Sequence, residues 1–188
     1  MDCLTALVTR TSPIELTNPA PSGETLDAIM AAALNAPDHG RLRPWRFILI
    51  RGEARERFGH LLASSLAQRE PASAKVLLER EQVKPLRAPL IITVAATPKP
   101  NSKVPEIEQI VSAGATAQNI LVAAHALGFG GFWRTGAAAY DTTVKAGLGL
   151  RAEDVIVGFL YLGTVARAGP PRRKLEANQF VFEERINS

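Results

Sequence analysis

Residues 90–96 form a run that is apolar except for Thr93, and this run restricts the fold of the chain more than any other feature of its sequence. The run is far shorter than the roughly 20 apolar residues needed to span a membrane, so it belongs to a folded core. Its side chains are apolar on both faces, which predicts a central strand of a sheet. Residues 47–50 and 155–162 are similar and are also predicted to be strands.

Helical patterns alternate with these strands. Ser22 is a good N-cap for the apolar periodicity that starts at Leu26, and Pro37 ends that helix. Five segments are predicted to be helical: residues 1–10, 26–36, 54–68, 106–127 and 141–147. The alternation of helices and strands predicts an α+β or a mixed α/β fold.

The remaining segments are less regular. Residues 37–45 are polar and residues 97–105 contain three prolines, so both are predicted to be loops. Residues 70–86 are charged and are either helical or mobile. Residues 129–133 and 179–182 are candidate short strands.

Small side chains occupy the middle of the predicted helix 106–127. An apolar stripe follows one side of this helix: Ile107, Ile110, Val111, Gly114, Ala117, Leu121 and Val122. A mid-helix glycine costs about 1 kcal/mol relative to alanine. Close approach of another backbone at Gly114 would offset that cost, and the second backbone could belong to the same chain or to another one.

The composition fits one ordinary globular domain covering residues 1–188. Hydrophobic residues make up 46% of the chain and charged residues 21%, which argues against disorder. The net charge is +4, but the basic clusters have no interleaved aromatic residues, so nucleic acid is not an expected partner. Cys3 is the single cysteine, which indicates a reducing compartment. Because no secretory leader or membrane span is evident, a cytoplasmic protein is expected.

No self-contained catalytic set is evident. The three histidines have no cysteine or carboxylate at ligand spacing, so no metal site is expected. Cys3 has no nucleophile signature, and there is no Gly-x-Ser-x-Gly elbow. Gly128-Phe129-Gly130-Gly131-Phe132-Trp133 places Trp133 where a dinucleotide loop needs its third glycine, and it follows a helix. A bound cofactor is therefore the attractive source of chemistry.

Several short motifs occur in a family order along nearly the whole chain. They are Thr9-Arg10-Thr11-Ser12, Ala36-Pro37-Asp38-His39 with Pro44-Trp45, Arg87-Ala88-Pro89, Lys103-Val104-Pro105, Ser112-Ala113-Gly114, Gly128-Phe129-Gly130-Gly131 with Trp133-Arg134, and Val157-Gly158-Phe159 through Gly163. Each is weak alone, but in this order and spacing the chain resembles the nitroreductase family, and its small members above all. The resemblance implies an α+β fold with a central mixed sheet flanked by helices, in an intertwined homodimer. It also implies one FMN in each of two sites made by both subunits.

The resemblance extends to individual residues near the N-terminus. Arg10, Thr11 and Ser12 match the family segment that holds the FMN phosphate and ribityl chain. The chemistry agrees, because a guanidinium binds phosphate in a bidentate way and a hydroxyl donates beside it. The alternative is a surface arginine followed by a helix-end serine.

Two further groups match flavin-contacting positions. Asn35 and His39 match positions that contact FMN, and the loop 37–45 matches one that reaches the partner's flavin; an ordinary surface loop is the alternative. Trp133, Arg134 and Thr135 match the segment beside the isoalloxazine ring, with Trp133 as a core aromatic residue being the alternative.

The chain also departs from the family pattern. Glu15 replaces a basic residue often found after the serine, which puts the strength of phosphate binding in question. Asp38, Arg41 and Arg43 replace Ser, Asn and Gln, so substrate preference does not transfer from larger members. Arg172 or Lys174 is a candidate for the C-terminal cation that larger members use.

The implied activity consists of two half-reactions in one pocket. NADH or NADPH passes a hydride to the flavin, and an electron-poor small molecule such as a nitroaromatic or a quinone then takes the electrons. A cation near the reduced ring would stabilise its negative charge, and Arg134 is a candidate. Two hypotheses of other classes are a flavin-binding protein without turnover, used for storage, sensing or as a partner, and a flavin-free structural dimer.

Overall fold

The structure is a computed structural model, and it describes residues 1–100, 102–171 and 175–183. Its helices and strands, in chain order, are α1 Cys3–Thr9, β1 Glu15–Thr17, α2 Gly23–Leu34, β2 Trp45–Arg51, α3 Ala54–Arg69, α4 Lys75–Val83, β3 Leu90–Ala96, α5 Glu106–Ala126, β4 Gly130–Arg134, α6 Thr142–Gly147 and β5 Val155–Arg167. Short 3₁₀ segments occupy His39–Arg41, Lys84–Arg87, Ala137–Ala139 and Ala177–Gln179.

The five strands form one sheet organised around β5. The strand order is β1-β5-β3-β2, and β4 also pairs with β5. All four pairings are antiparallel, so across the described residues the sheet is antiparallel and the expected mixture with parallel pairs is absent. Strand β3 lies between β2 and β5 and is buried along its whole length, as its apolar faces predict.

Helices cover the sheet on both faces. Helices α2 and α5 pack on one face, where Ile29 and Ile120 meet Leu160 of β5. Helices α3 and α6 pack on the other face, where Phe58 and Val144 belong to a cluster with Phe159 of the same strand. Alternate residues of β5 thus point into two cores, and the α+β class is confirmed.

The local signals at helix starts had different outcomes. Asp141 precedes α6 and its carboxylate accepts the Val144 N–H at 3.0 Å, which gives this short helix an N-cap. Ser22 precedes α2 with extended backbone, but its hydroxyl makes no capping hydrogen bond. The predicted N-cap position is therefore right and its predicted side-chain bond is wrong.

Two strand assignments also differ from expectation. Strand β1 was not predicted, because Glu15, Leu16 and Thr17 offer a single buried apolar side chain and no periodic pattern. Strand β1 forms because β5 continues past Leu162, and this continuation of β5 pairs with β1. Residues 179–182 are not a strand; Phe180 and Phe182 are exposed and pair with no described strand.

The apolar stripe of α5 divides between two environments. Ala117 and Leu121 are buried in the core, whereas Ile107 and Val111 are 64% and 63% exposed. A Cβ built on Gly114 meets no atom within 4 Å. The glycine is therefore not required by close packing within this chain, which leaves another chain as the candidate for the close approach.

Helix length and hydropathy determine whether a helix can span a membrane. None of the helices formed by residues 1–100, 102–171 and 175–183 is both long and apolar enough to cross a bilayer.

Candidate functional site: two cavities along β4

Two cavities adjoin along strand β4. The first, of about 580 Å³, lies between β4 and the α3–α4 side of the molecule. The second, of about 660 Å³, lies between β4 and the segment that follows α1. They have four lining residues in common, Arg87, Phe132, Trp133 and Arg134, and the two cavities together are called the furrow.

The second cavity contains Ser12. Ser12 shares this cavity with Trp133 and Arg134, whereas Arg10 and Thr11 line neither cavity, so the structure brings only the last of these three predicted residues to the β4 motif. Gly169 lies against the Ser12 segment, since a Cβ on Gly169 would fall 2.0 Å from the Ser12 backbone oxygen. Close packing of two backbones therefore sets the position of Ser12.

The residues before Ser12 are held by the end of α1. Arg10 is the C-cap of this helix, and its backbone N–H donates to the Ala6 oxygen at 3.2 Å. Arg10 and Thr11 are both half-buried. Thr9 Oγ1 lies 2.9 Å from His125 Nε2 in the last turn of α5, which ties the two helix ends together.

Glu15 lies in the same cavity as Ser12. Its carboxylate is 4.0 Å from the guanidinium of Arg167, and both side chains are largely exposed. An exposed pair at this distance contributes little to stability, yet Arg167 offsets the negative charge that Glu15 brings to the cavity. The candidate cations Arg172 and Lys174 lie outside the described residues.

The first cavity has aromatic walls and a basic rim. Phe132 and Tyr161 stack with ring centres 4.8 Å apart and an interplanar angle of 14°. The guanidinium of Arg134 lies 5.3 Å from the Phe132 ring centre, within cation–π range. The charged residues lining the cavity are Arg69, Arg80, Glu81, Lys84, Arg87 and Arg134.

Some of this positive charge is neutralised locally. Lys84 forms an ion pair with Glu81, and Arg69 donates to Asp141 Oδ2 at 2.6 Å. Burial is the largest single influence on Asp141 and acts against ionisation, but hydrogen bonds from Arg69, the Val144 N–H and Ser65 outweigh it and lower its pKa. Arg80 and Arg87 form no ion pair with any described residue, so the rim keeps a positive excess.

Trp133 has a structural role as well as a place beside the cavities. Its indole Nε1 donates to the Val157 backbone oxygen at 3.1 Å, and the ring packs against the α2–α5 core. Arg134 and Thr135 follow it and are exposed; Thr135 lines the first cavity. The three residues predicted beside a ring thus line the aromatic part of the furrow.

Asn35 and His39 lie apart from this furrow and line neither cavity. Asn35 ends α2 and donates to the Ala31 oxygen at 2.8 Å. His39 Nδ1 lies 2.6 Å from Glu108 Oε2 on the first turn of α5. Within one chain, therefore, the structure does not bring these two residues to Ser12 and Arg134.

The loop that carries His39 is strained. Arg41 and Arg43 have φ of 54° and 50°, values that non-glycine residues rarely adopt. The Asp38 carboxylate accepts the Arg43 N–H at 2.7 Å and stabilises this conformation. Strain of this kind concentrates at functional sites.

Sequence reasoning missed several lining residues. Arg80, Lys84 and Arg87 are spaced four and three apart, which is the spacing of one helix face and could have indicated a basic stripe. Tyr161 carried no such signal, because in the apolar segment 155–162 it looks like any other core residue.

Comparison with known proteins identifies the class. The sequence matches the Nitroreductase family over residues 7–164. It is 45% identical over 164 residues to an Escherichia coli K12 protein named "Putative NAD(P)H nitroreductase YdjA", covering 87% of this chain and 88% of that protein. A Haemophilus influenzae protein named "Putative NAD(P)H nitroreductase" is 36% identical over 183 residues, covering 96% of this chain and 98% of that protein. The chain belongs to the nitroreductase family, which is a family of oxidoreductases.

Solved structures agree with this assignment. A nitroreductase-like protein from Bacillus cereus superposes with a TM-score of 0.83 at 24% identity, covering 100% of this chain and 97% of that one, which supports the fold. A Desulfovibrio desulfuricans protein titled "a putative nitroreductase in complex with fmn" superposes with a TM-score of 0.75 at 26% identity, covering 99% of each chain.

Proposed function

We propose that this protein is an FMN-dependent oxidoreductase that takes hydride from NADH or NADPH and passes electrons to electron-poor acceptors such as nitroaromatics or quinones. The observation that carries the proposal is the second cavity, in which Ser12 lies with Trp133 and Arg134; these two residues also line the first cavity, together with Thr135. The names of the E. coli and H. influenzae relatives support the donor, and the FMN complex of the D. desulfuricans neighbour supports the cofactor.

The furrow fits the two chemically different ends of FMN. At one end Ser12 offers a hydroxyl to a phosphate and ribityl chain; Arg10 and Thr11 precede it in the sequence but line neither cavity. At the other end the aromatic wall and the exposed guanidinium of Arg134 suit a planar ring. Gly136 follows with φ of 78° and no atom near a built Cβ, so its backbone is open to close approach.

Bound FMN would supply the hydride chemistry, while the protein residues supply binding and charge. Arg10 and Ser12 would hold the phosphate end. Arg134 and the unpaired Arg87 would place positive charge where reduction adds negative charge to the ring.

We further propose that the active form is a homodimer with sites shared between subunits. Helices α1 and α5 pack together, and both leave apolar side chains exposed, among them Leu4, Val8, Ile107 and Val111. Gly114 lies on the same helix with open space above it. Because Asn35 and His39 line neither cavity of their own chain, a partner's furrow is the place where they would meet a flavin.

The absorbance spectrum of the purified protein tests the cofactor first. We expect flavin absorbance that disappears under anaerobic NADH or NADPH and returns when a nitroaromatic or quinone is added. A protein that takes up no FMN in a fluorescence titration contradicts the whole proposal. A yellow protein that neither NADH nor NADPH bleaches would instead be a flavin binder without turnover.

A further inference from the structure

Tyr161 is a buried polar residue that the fold alone does not explain. It is 6% exposed and lines the first cavity. Its hydroxyl makes no hydrogen bond to a described residue and is not fully enclosed by protein, so it is open to the cavity. A donor left unpaired at the wall of a cavity is available to a ligand.

Charged groups converge on this hydroxyl. Burial raises the pKa of Tyr161 to about 12; the positive charges of Arg87 and Arg134 act in the opposite direction, and the negative charge of Glu81, which lines the same cavity, adds to the rise. Tyr161 is therefore a neutral O–H donor at any pH where an enzyme works. Arg87 and Arg134 both line the same cavity as Tyr161.

The sheet register fixes this arrangement. Tyr161 of β5 lies opposite Phe132 of β4, and their rings stack at 4.8 Å. Arg134 is two residues beyond Phe132 on the same face of β4 and lies over its ring. Because both strands are held in a continuous ladder, the hydroxyl and Arg134 are positioned without any ligand present.

We propose that the Tyr161 hydroxyl donates a hydrogen bond to an acceptor atom of the flavin ring, and that together with Arg87 it makes the protein bind reduced FMN more tightly than oxidised FMN. This inference rests on the proposed function. Reduction adds negative charge to the ring, and fixed donors and cations favour the form in which that charge has developed. A neutral phenol contributes through its O–H dipole, and no proton is transferred.

The test is the two-electron reduction potential of bound FMN, measured anaerobically against a reference dye. Tyr161→Phe should reduce the preference for reduced over oxidised FMN about tenfold, because a hydrogen bond to a charged acceptor is lost. A tenfold change corresponds to a potential about 30 mV lower. The absorbance maxima of oxidised bound FMN should shift as well.

Tyr140→Phe is the matched control. It removes the same hydroxyl from the other tyrosine of the chain, which is 76% exposed and lines neither cavity. The potential of this variant should equal that of the unmodified protein. If Tyr161→Phe also leaves the potential and the spectrum of bound FMN unchanged, the inference is overturned while the proposed function stands.

Arg87→Gln is a second test of the proposal. This substitution does not disturb the core, because Arg87 is exposed. It should also lower the potential, whereas Arg57→Gln, on the exposed side of α3 in an ion pair with Glu53, should not. A normal potential in Arg87→Gln contradicts the joint role of Arg87 and Tyr161. Failure of the unmodified protein to bind FMN overturns the proposed function, and this inference with it.

Discussion

The indole of Trp133 lies directly over Gly158. Its Nε1 donates to the Val157 backbone oxygen at 3.1 Å, and a Cβ built on Gly158 would lie 2.0 Å from that same nitrogen. The absence of a side chain at residue 158 therefore creates the space in which the indole lies. This packing holds the start of the Trp133-Arg134-Thr135 segment, which supplies Trp133 and Arg134 to the lining that the two cavities have in common.

Gly158→Ala should displace the indole. A methyl group within van der Waals contact of a packed ring forces a side-chain or strand shift, which costs about 1–3 kcal/mol of unfolding free energy. Urea unfolding measures that loss, and the tryptophan fluorescence maximum should move. In a Trp133→Phe background the alanine should cost clearly less, because the clashing part of the indole is absent. Equal costs in both backgrounds would show that the strain lies elsewhere.

His125 should support FMN binding from a distance. Thr9 Oγ1 also donates to the Thr5 oxygen at 2.6 Å, so its one proton is used and His125 Nε2 is the donor to it. This bond holds the end of α1, directly before Arg10. We expect His125→Ala to weaken FMN binding about three- to tenfold, the effect of losing one hydrogen bond.

Thr9→Val should give the same loss as His125→Ala, and the double variant should lose no more than either single one. His60→Ala, at an exposed position of α3, is the control and should bind FMN normally. Normal flavin affinity in His125→Ala would show that Arg10 is positioned by other contacts.

Gly114→Leu should separate folding from dimer formation. Nothing within 4 Å opposes a Cβ at Gly114, and leucine is a better helix former, so the single chain should fold normally. The longer side chain should prevent close approach of a second helix, and sedimentation should show a monomer. Gly59→Leu is the contrast, since a Cβ there would lie 2.0 Å from the Gln82 backbone oxygen and should prevent folding. A dimer of unchanged affinity in Gly114→Leu would place the interface elsewhere.

Asp141 should make stability depend on pH. Its pKa in the folded protein is below the ordinary value of 3.8, so its contribution is complete above that value and is lost as the pH falls through the folded-state pKa. Asp141→Asn should cost about 1–3 kcal/mol at pH 7, because the charge-assisted bond from Arg69 is lost. The difference from the unmodified protein should shrink below about pH 4, as unfolding titrations at several pH values will show. A constant difference would contradict the lowered pKa.

The core strands were predictable because one-dimensional patterns determine them. Leu90–Ala96 was assigned with its observed bounds, since an apolar run that is buried on both faces has few alternatives. The stripe along α5 was predicted on a single face, yet Val111 is exposed and Thr116 is buried. Periodicity shows that a helix has apolar positions. It does not show which of these positions pack within the same chain and which remain exposed on its surface.

The candidate site was predictable only where a motif carried it. Ser12 and Arg134 were selected from short patterns, and the structure places both beside one cavity. Tyr161 was not selected, because in the sequence it is one more apolar position of β5. The role proposed for its hydroxyl depends on how β4, β5 and Arg87 are arranged in the folded chain. Local sequence patterns do not encode that arrangement.

The shared-site proposal leads to a complementation experiment. Arg10→Glu places a negative charge in the proposed phosphate site, and His39→Asp places a second carboxylate next to Glu108, 2.6 Å from the present His39 nitrogen. Each variant alone should be inactive in NAD(P)H oxidation.

Co-refolded in equal amounts with excess FMN, the two variants should recover activity. If each site takes Arg10 from one subunit and His39 from its partner, a mixed dimer has one site with both defects and one site with neither. Random assortment makes about half of the dimers mixed, so about a quarter of the sites should be intact. If each site were built from one chain, every site would carry one defect. If mixed dimers are confirmed by mass and the activity is still zero, shared sites are ruled out. That result would not contradict FMN binding by the unmodified protein.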